Sequence, residues 1–248
     1  MIYVTGDTHG EYNEFLNRLK DKNLSKEDFV IVCGDFGFVW NDQYHRYFLA
    51  KLTAVPFTIL FIDGNHEDFD LLGTYPVIEW HGGKVHKISE NIYHLMRGQL
   101  FNIEGKTFFT MGGAYSVDKS FRTEGKSWWK DELPSNDDYK TADYTLNNCN
   151  FKADFVLTHT IPKTAVCMLG IAPDPHDAEL TGYFDWLFEK LDFRAWFAGH
   201  FHINQTLWEK LHILYDDVEI EKYNNKYIFK VKYNNKYALF NTNGEIIS

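Results

Sequence analysis

The fold is indicated by a pattern first seen in Ile2-Tyr3-Val4-Thr5-Gly6-Asp7-Thr8-His9. Here a short apolar run ends in side chains that can bind a metal ion. The same arrangement recurs four more times, as Phe29 to Cys33 before Gly34-Asp35, Phe57 to Ile62 before Asp63-Gly64-Asn65-His66, Phe155 to Leu157 before Thr158-His159, and Ala195 to Ala198 before Gly199-His200-Phe201-His202. Apolar runs of about four to eight residues, followed by Gly or polar residues, are typical of strands buried on both faces. Ligands bind outside the carboxyl ends of such strands, so we expect the five ends to meet in one crevice.

Amphipathic patterns between these runs predict helices. Phe15 and Leu19 lie on one face of a predicted helix at residues 11–21, and further helices are predicted at 41–52 and 178–191. The first part of the chain therefore reads β-α-β-α-β. This order indicates an α/β fold with parallel strands and right-handed crossovers.

The later part of the chain has a different pattern. Short runs separated by turn residues predict hairpins at 76–111, and the Asn-rich tail predicts a β-meander at 207–248. Residues 112–150 are the least regular stretch, which we interpret as an insertion or lid that is helical near Trp128 and otherwise a long loop. The length fits one domain over residues 1–248 that carries these two features.

Composition limits the binding partners and the cellular compartment that we expect for the protein. The formal net charge of −10 argues against broad binding to a nucleic-acid backbone or an anionic membrane. Three scattered Cys residues do not make a disulfide framework, which is typical of a reducing compartment. The first strand begins at Ile2, which leaves no room for a cleavable signal peptide, and no apolar stretch reaches the roughly 20 residues that span a bilayer. We therefore predict a cytoplasmic protein; its oligomeric state is open.

The polar groups at the strand ends suit a metal centre. Asp7 and His9 are two residues apart, as are His200 and His202, and in extended backbone such pairs point to the same side. Carboxylate and imidazole ligands without Cys favour Mn²⁺, Fe or Zn²⁺ over Ca²⁺ and argue against a structural zinc site. The surplus of ligands indicates two metal ions that share a bridging carboxylate.

The motifs are more specific together than apart. Gly-Asp-Thr-His-Gly, Gly-Asp-Phe-Gly, Gly-Asn-His-Glu, Thr-His and Gly-His-Phe-His occur in this order between residues 6 and 202. The set resembles that of the calcineurin-like metallophosphoesterase superfamily. The resemblance implies a four-layer α-β-β-α sandwich, in which two mixed β-sheets are flanked by helices.

The resemblance also implies roles for single residues. Asp7, His9 and His202 would hold the first metal, Asp35 would bridge to the second, and Asn65, His159 and His200 would complete the second site. The expected cofactor is a pair of divalent ions, with Mn²⁺ first and Fe or Zn²⁺ as alternatives. His66 matches a histidine of the family that is not a ligand and protonates the leaving group. The implied reaction is hydrolysis of a phosphate ester by a hydroxide that bridges the two ions.

Departures from the pattern bear on the substrate. The Ser/Thr protein phosphatase branch has an Arg where this chain has Asp63, and a different sequence after its Asp35 equivalent, so two phosphate-binding arginines are missing. The ending Gly-His-Phe-His resembles the phosphodiesterase and nuclease branches. Lys119 and Arg122 are candidates to bind the phosphate in place of the missing arginines. The alternative for this stretch is a packed lid with Trp128 and Trp129 in its core.

The favoured function is a phosphodiesterase that acts on a nucleotide or a nucleic-acid end. A phosphomonoesterase acting on phosphoprotein or a small metabolite is the first alternative. A catalytically inactive scaffold of the same fold is an alternative of another class, and the presence of every expected ligand argues against it.

Overall fold

Two β-sheets pack face to face in the computed structural model. The structure describes residues 1–215, and it describes the backbone of 218–223, 226–233 and 236–241. The first sheet has nine described strands in the order β15-β14-β13-β1-β2-β3-β6-β5-β4, and the second has six, in the order β11-β12-β10-β9-β8-β7. Both sheets are mixed, because parallel strands at their centres carry antiparallel strands at their edges.

The strands are β1 (Ile2–Thr5), β2 (Phe29–Cys33), β3 (Thr58–Ile62), β4 (Val77–Trp80), β5 (Gly83–Lys87), β6 (Ile92–Leu95), β7 (Gln99–Ile103), β8 (Lys106–Met111), β9 (Phe155–Thr158), β10 (Ala195–Ala198), β11 (Gln205–Leu207), β12 (Leu211–Ile213), β13 (Val218–Tyr223), β14 (Lys226–Tyr233) and β15 (Lys236–Asn241). The α-helices are α1 (Tyr12–Leu19), α2 (Gln43–Leu52), α3 (Phe69–Leu72), α4 (Asn136–Asn148), α5 (Lys163–Met168) and α6 (Ala178–Lys190). Within the described residues none of these helices is both long and apolar enough to cross a membrane.

Alternating side chains of the central strands face different cores. Ile31 of β2 lies in the layer between the sheets, together with Phe155 and Phe197 of the second sheet. Its neighbours Val30 and Val32 face the opposite side, where α1 and α2 cover the first sheet. This arrangement explains why the runs read as continuously apolar: both faces of these strands are buried.

The second sheet is covered in the same way. Val156 and Trp196 face a core that is closed by α4, α5 and α6. Phe184 of α6 is fully buried there, with its ring centroid 5.6 Å from that of Trp196. The predicted α/β fold, with two mixed sheets flanked by helices, is thus confirmed.

The structure corrects the interpretation of residues 112–150. Trp128 is followed by one turn of 3-10 helix at Lys130–Glu132, and the long helix of this stretch is α4, which begins later. Ser135 and Asp138 start α4 with a reciprocal capping box, in which the Ser135 hydroxyl accepts from the Asp138 N–H and the Asp138 carboxylate accepts from the Ser135 N–H. The helix therefore starts where its backbone donors are satisfied and not at the tryptophan pair.

The tail forms antiparallel strands. β13 pairs with β1 and β14, and β14 pairs with β15. The Asn pairs at 224–225 and 234–235 and the Asn-Gly at 243–244, where turns of the predicted meander were expected, lie outside the described residues. The extent of the predicted single domain stays a prediction.

Candidate metal centre

Glycines let the ends of the two sheets approach each other closely. A Cβ at Gly34, after β2, would lie 2.2 Å from Nδ1 of His159, after β9. A Cβ at Gly199, after β10, would lie 2.2 Å from Oδ1 of Asp7 and 2.7 Å from the Cys33 carbonyl oxygen. Only glycine fits at these two positions, and the strand ends of both sheets consequently meet in one site.

Three overlapping groups of side chains in this site could each hold a cation. They are Asp7 with His9 and His202, His9 with Asp35 and His66, and Asp7 with Asp35 and His159, and in each group the ligand atoms lie within 4.8 Å of one another. Asp7, His9 and Asp35 each occur in two of the groups. Shared ligands of this kind are suited to two neighbouring ions.

Contacts from neighbouring residues orient the ligand atoms toward the site. Nδ1 of His159 donates to the Cys33 carbonyl oxygen over 2.8 Å, so in the neutral ring Nε2 carries the lone pair that can bind a cation. Nδ2 of Asn65 donates to the Ser116 hydroxyl over 3.0 Å, so its Oδ1 turns inward and lies 3.1 Å from Nε2 of His159. Both groups therefore present acceptor atoms to the same point.

Asp7 supplies a buried oxygen that suits a cation. Its Oδ1 accepts the backbone N–H of His200 over 2.9 Å. Its Oδ2 is buried and accepts no hydrogen bond of acceptable geometry from the described residues, although Nε2 of His202 lies 2.9 Å away. A buried carboxylate oxygen without a donor is costly unless a cation binds it. Nε2 of His9 lies 2.9 Å from Nε2 of His202, so the two rings converge on this position.

The backbone is strained at the ligands. His9, Asp35, His200 and His202 all have positive φ, between 47° and 68°. Such a conformation costs an L-residue on the order of 1–3 kcal/mol and persists only where the surrounding structure enforces it. Here the Asp35 carbonyl oxygen accepts the N–H groups of Thr8 and His9, which fixes the first two loops together. Strain concentrated on predicted ligands is typical of a functional site.

The electrostatics of the site favour positive charge. Burial opposes ionisation of Asp35, but the surrounding imidazoles, led by His159, hold the pKa of its carboxyl below the ordinary value. Burial likewise opposes protonation of His159, yet Asp35 and Asp7 raise the pKa of its ring. Burial lowers the pKa of His200 to about 4, so its ring is neutral and can act as a ligand. The donor set fits divalent ions of the Mn²⁺, Fe or Zn²⁺ type.

His66 and Arg122 lie side by side at the site. The backbone N–H of His66 donates to Oδ1 of Asp35 over 2.7 Å, and its ring packs edge-on against His9 at 5.2 Å. Nη2 of Arg122 lies 2.7 and 2.8 Å from the two ring nitrogens of His66. Burial, with a contribution from Arg122, lowers the pKa of His66 below its ordinary value. Because a guanidinium only donates, the contact requires a neutral His66 ring.

Lys119 has a different environment from Arg122. Its Nζ lies 2.5 Å from Oε1 of the buried Glu132 and 4.0 and 4.3 Å from the ring centroids of Tyr115 and Trp128. These contacts hold Lys119 inside its own loop. Of the two basic residues predicted to bind phosphate, the structure thus brings Arg122 to the predicted catalytic histidine.

A family model described as calcineurin-like phosphoesterase matches residues 1–204. The chain belongs to this family. Membership indicates a hydrolase of phosphoric esters that depends on two metal ions, and the Asp and His groups described here could bind them.

Two curated relatives are similar to this phosphoesterase over part of their length. Lariat debranching enzyme A of Xenopus laevis is 24% identical over 188 residues, which make up 66% of this chain and 33% of that protein. Lariat debranching enzyme of Danio rerio is 27% identical over 138 residues, or 48% of this chain and 22% of that protein. The chain thus matches about a third or less of the length of these relatives.

Other residues shape the site of this phosphoesterase without having been predicted. Glu67 is buried, and its carboxylate accepts the N–H groups of Phe36 and Gly37 over 2.7 and 3.4 Å. Burial raises the pKa of Glu67 well above its ordinary value. Its position directly after Gly-Asn-His was the available signal: an acidic residue here can anchor the loop that follows Asp35.

Asp63 stands where an arginine would mark the protein phosphatase branch, and it is a buried anchor. Its carboxylate pairs with Arg97, with Nε at 2.8 Å, and with Nε2 of His94 at 3.1 Å. Arg97 also donates to the carbonyl oxygen of Asp131 over 2.6 Å. The network joins the end of β3 to the stretch predicted to be a lid. Nothing near His94 in the sequence indicates this contact.

Proposed function

We propose that the chain is a phosphodiesterase that acts on a nucleotide or a nucleic-acid end, with two Mn²⁺ ions as cofactor. One observation carries the proposal: three overlapping groups that could hold a cation share Asp7, His9 and Asp35, and His66, a member of one group, lies beside Arg122. This arrangement combines two cation positions with a proton carrier and a phosphate-binding cation. Two bound divalent ions would activate a water molecule and stabilise the charge that develops on the phosphate.

The chain's own residues have distinct parts in the proposed reaction. Asp7, Asp35 and the imidazoles would hold the ions. Arg122 exchanges His66 for two phosphate oxygens when the substrate binds, because its guanidinium matches their spacing. His66, freed from this contact, takes up a proton from water, and the resulting imidazolium donates it to the leaving oxygen. Lys119 is a secondary phosphate-binding candidate, since Glu132 already neutralises it.

Two features support a diester over a monoester. Asp63 replaces an arginine and is paired with Arg97 and His94. That position therefore offers no positive charge to a doubly charged monoester. The two curated relatives are named as lariat debranching enzymes, and this supports our choice of a nucleic-acid substrate. A cytoplasmic location belongs to the same proposal and rests on the free cysteines Cys33, Cys149 and Cys167.

Hydrolysis of two chromogenic esters tests the proposal. Protein loaded with Mn²⁺ is given bis-p-nitrophenyl phosphate and p-nitrophenyl phosphate, beside an Asp35→Asn variant. We expect metal-dependent turnover that favours the diester and is lost in the variant. Faster turnover of the monoester would establish the phosphomonoesterase alternative. No turnover of either ester, with no metal bound, would establish the scaffold alternative.

A further inference from the structure

Two tryptophan side chains line a cavity of about 500 Å³. The residues around this Trp40–Trp129 cavity include Trp40, Asp42, Asp68, Asp70, Lys126 and Trp129. The two indole rings lie edge to face, with centroids 5.6 Å apart. A volume of this size is typical of a pocket for a small molecule.

Three segments that line the cavity are close in sequence to residues at the metal centre. Trp40 follows Gly37, where a Cβ would lie 2.7 Å from Cα of His9. Asp68 follows His66 by two residues. Nη1 of Arg122, whose Nη2 contacts His66, donates to the Ser127 carbonyl oxygen over 3.1 Å, two residues before Trp129. The three segments therefore connect the cavity to His66, to Arg122 and to the loop that packs against His9.

The tryptophans give the cavity an aromatic wall. Trp40 is only partly buried and lines the cavity. Trp129 is 5% exposed, and its Nε1 has no acceptor among the described residues.

The charge of the cavity indicates what part of a substrate it takes. Asp42, Asp68 and Asp70 line it together with one basic residue, Lys126. Carboxylates disfavour a second phosphate here and favour groups that donate N–H bonds. Aromatic faces with carboxylates beside them suit a nucleobase that carries an exocyclic amino group, such as adenine.

We propose that the Trp40–Trp129 cavity binds an amino-bearing nucleobase of the substrate, stacked on Trp40, while the adjoining phosphate lies at the metal centre. This inference rests on the proposed function and names the substrate group that the enzyme selects. Stacking also explains how an acidic chain can hold a nucleotide, because it needs no positive surface.

Three esters with the same leaving group test the cavity. They are methyl p-nitrophenyl phosphate, which has no base, and the p-nitrophenyl esters of AMP and UMP. We expect wild-type protein with Mn²⁺ to have the highest kcat/KM on the AMP ester. Trp40→Ala should lower that value about 5- to 150-fold, the range seen for one base stack. The same variant should keep kcat/KM on the methyl ester within about twofold of the wild-type value.

Controls separate the cavity from general damage to the fold. Trp186→Ala removes a partly exposed tryptophan on α6 and should leave all three rates within about twofold. Trp40→Phe keeps an aromatic face and should restore most of the preference for the AMP ester. Equal kcat/KM values on the AMP and UMP esters, or a Trp40→Ala variant that keeps the AMP preference, would overturn the proposal.

A binding measurement distinguishes failure of the cavity assignment from failure of the proposed function. Calorimetric titration compares AMP with inorganic phosphate for wild-type protein and Trp40→Ala. Tighter binding of AMP that is lost in the variant supports the cavity even if no ester is hydrolysed, in which case only the phosphodiesterase proposal fails. AMP binding no tighter than phosphate binding would overturn the cavity assignment, whatever the enzyme hydrolyses.

Discussion

The position of His66 is compatible with two roles, that of a metal ligand and that of a proton donor. Its ring lies within ligand distance of His9 and Asp35, yet it also contacts Arg122, a residue from a loop 56 positions later in the chain. A metal ligand and a proton donor have different consequences when the side chain is changed. Counting metals and measuring turnover on one variant therefore decides between them.

We expect His66→Asn to keep both metals and to lose turnover by about 10²- to 10⁴-fold, the usual contribution of a positioned proton donor. Metal content by plasma mass spectrometry and kcat with a diester are the measurements. His81→Asn, at an exposed turn, is the matched control and should keep full activity. Loss of one metal from His66→Asn would make this histidine a ligand, and unchanged kcat would remove it from the mechanism.

Asp177 makes the stability depend on pH. Burial raises the pKa of its carboxyl to about 6, with Asp174 adding to the effect, while Oδ1 accepts the Tyr115 N–H over 2.8 Å. The unfolded carboxyl titrates near pH 4, so between about pH 4 and 6 the folded state binds more protons than the unfolded state. The stabilisation from the protonated group is thus complete below pH 4 and is lost as pH rises through 6.

Asp177→Asn removes this titration and keeps an oxygen for the Tyr115 N–H. We expect the unfolding free energy of the wild type, relative to the variant, to fall by at most about 3 kcal/mol between pH 4 and 7. Urea unfolding at a series of pH values measures it. Parallel curves for the two proteins over this range would show that Asp177 ionises normally.

At the level of elements, the close approach of strand ends defines the site. Gly34 has a φ of +89° and lies against the His159 ring, whereas Gly105, in a hairpin turn, has a φ of +73° with nothing within 4 Å of an added Cβ. Both alanine variants carry a backbone cost of about 1–2 kcal/mol. Only Gly34→Ala would also displace His159.

We therefore expect Gly34→Ala to lose metal binding and Gly105→Ala to lose stability alone. Urea unfolding gives the cost in stability, and metal content after dialysis gives the effect on the site. Gly34→Ala protein with a full metal complement would show that the two sheets can separate at this point without harm to the site.

Some elements could be predicted from sequence because their signals are local. The bounds of β2 and β10 follow from their apolar runs, since both faces of each strand are buried. The capping box at Ser135 and Asp138 was also local, but its acidic residue is Asp in place of the usual Glu or Gln, and α4 was missed. Two contacts could not be predicted in this way, because they depend on how a long loop folds back onto the rest of the chain. They are the contact of His66 with Arg122 and that of Trp40 with Trp129.

At the scale of the whole molecule, two sheets bring ligands from strand ends far apart in the chain to one edge. We expect this edge to hold two ions through the shared ligands Asp7, His9 and Asp35. If it does, removal of a shared carboxylate must weaken the binding of both ions, whereas removal of an outer ligand must weaken the binding of one.

Metal stoichiometry at equilibrium tests this claim most directly. Wild-type protein, Asp35→Asn, His202→Ala and the exposed control Asp21→Asn are dialysed against Mn²⁺, and bound metal is counted per chain. We predict two ions for the wild type and for Asp21→Asn, weakened binding of both ions in Asp35→Asn, and one ion retained in His202→Ala. A single ion in the wild type, or two tightly bound ions in Asp35→Asn, would contradict a dinuclear centre bridged by Asp35.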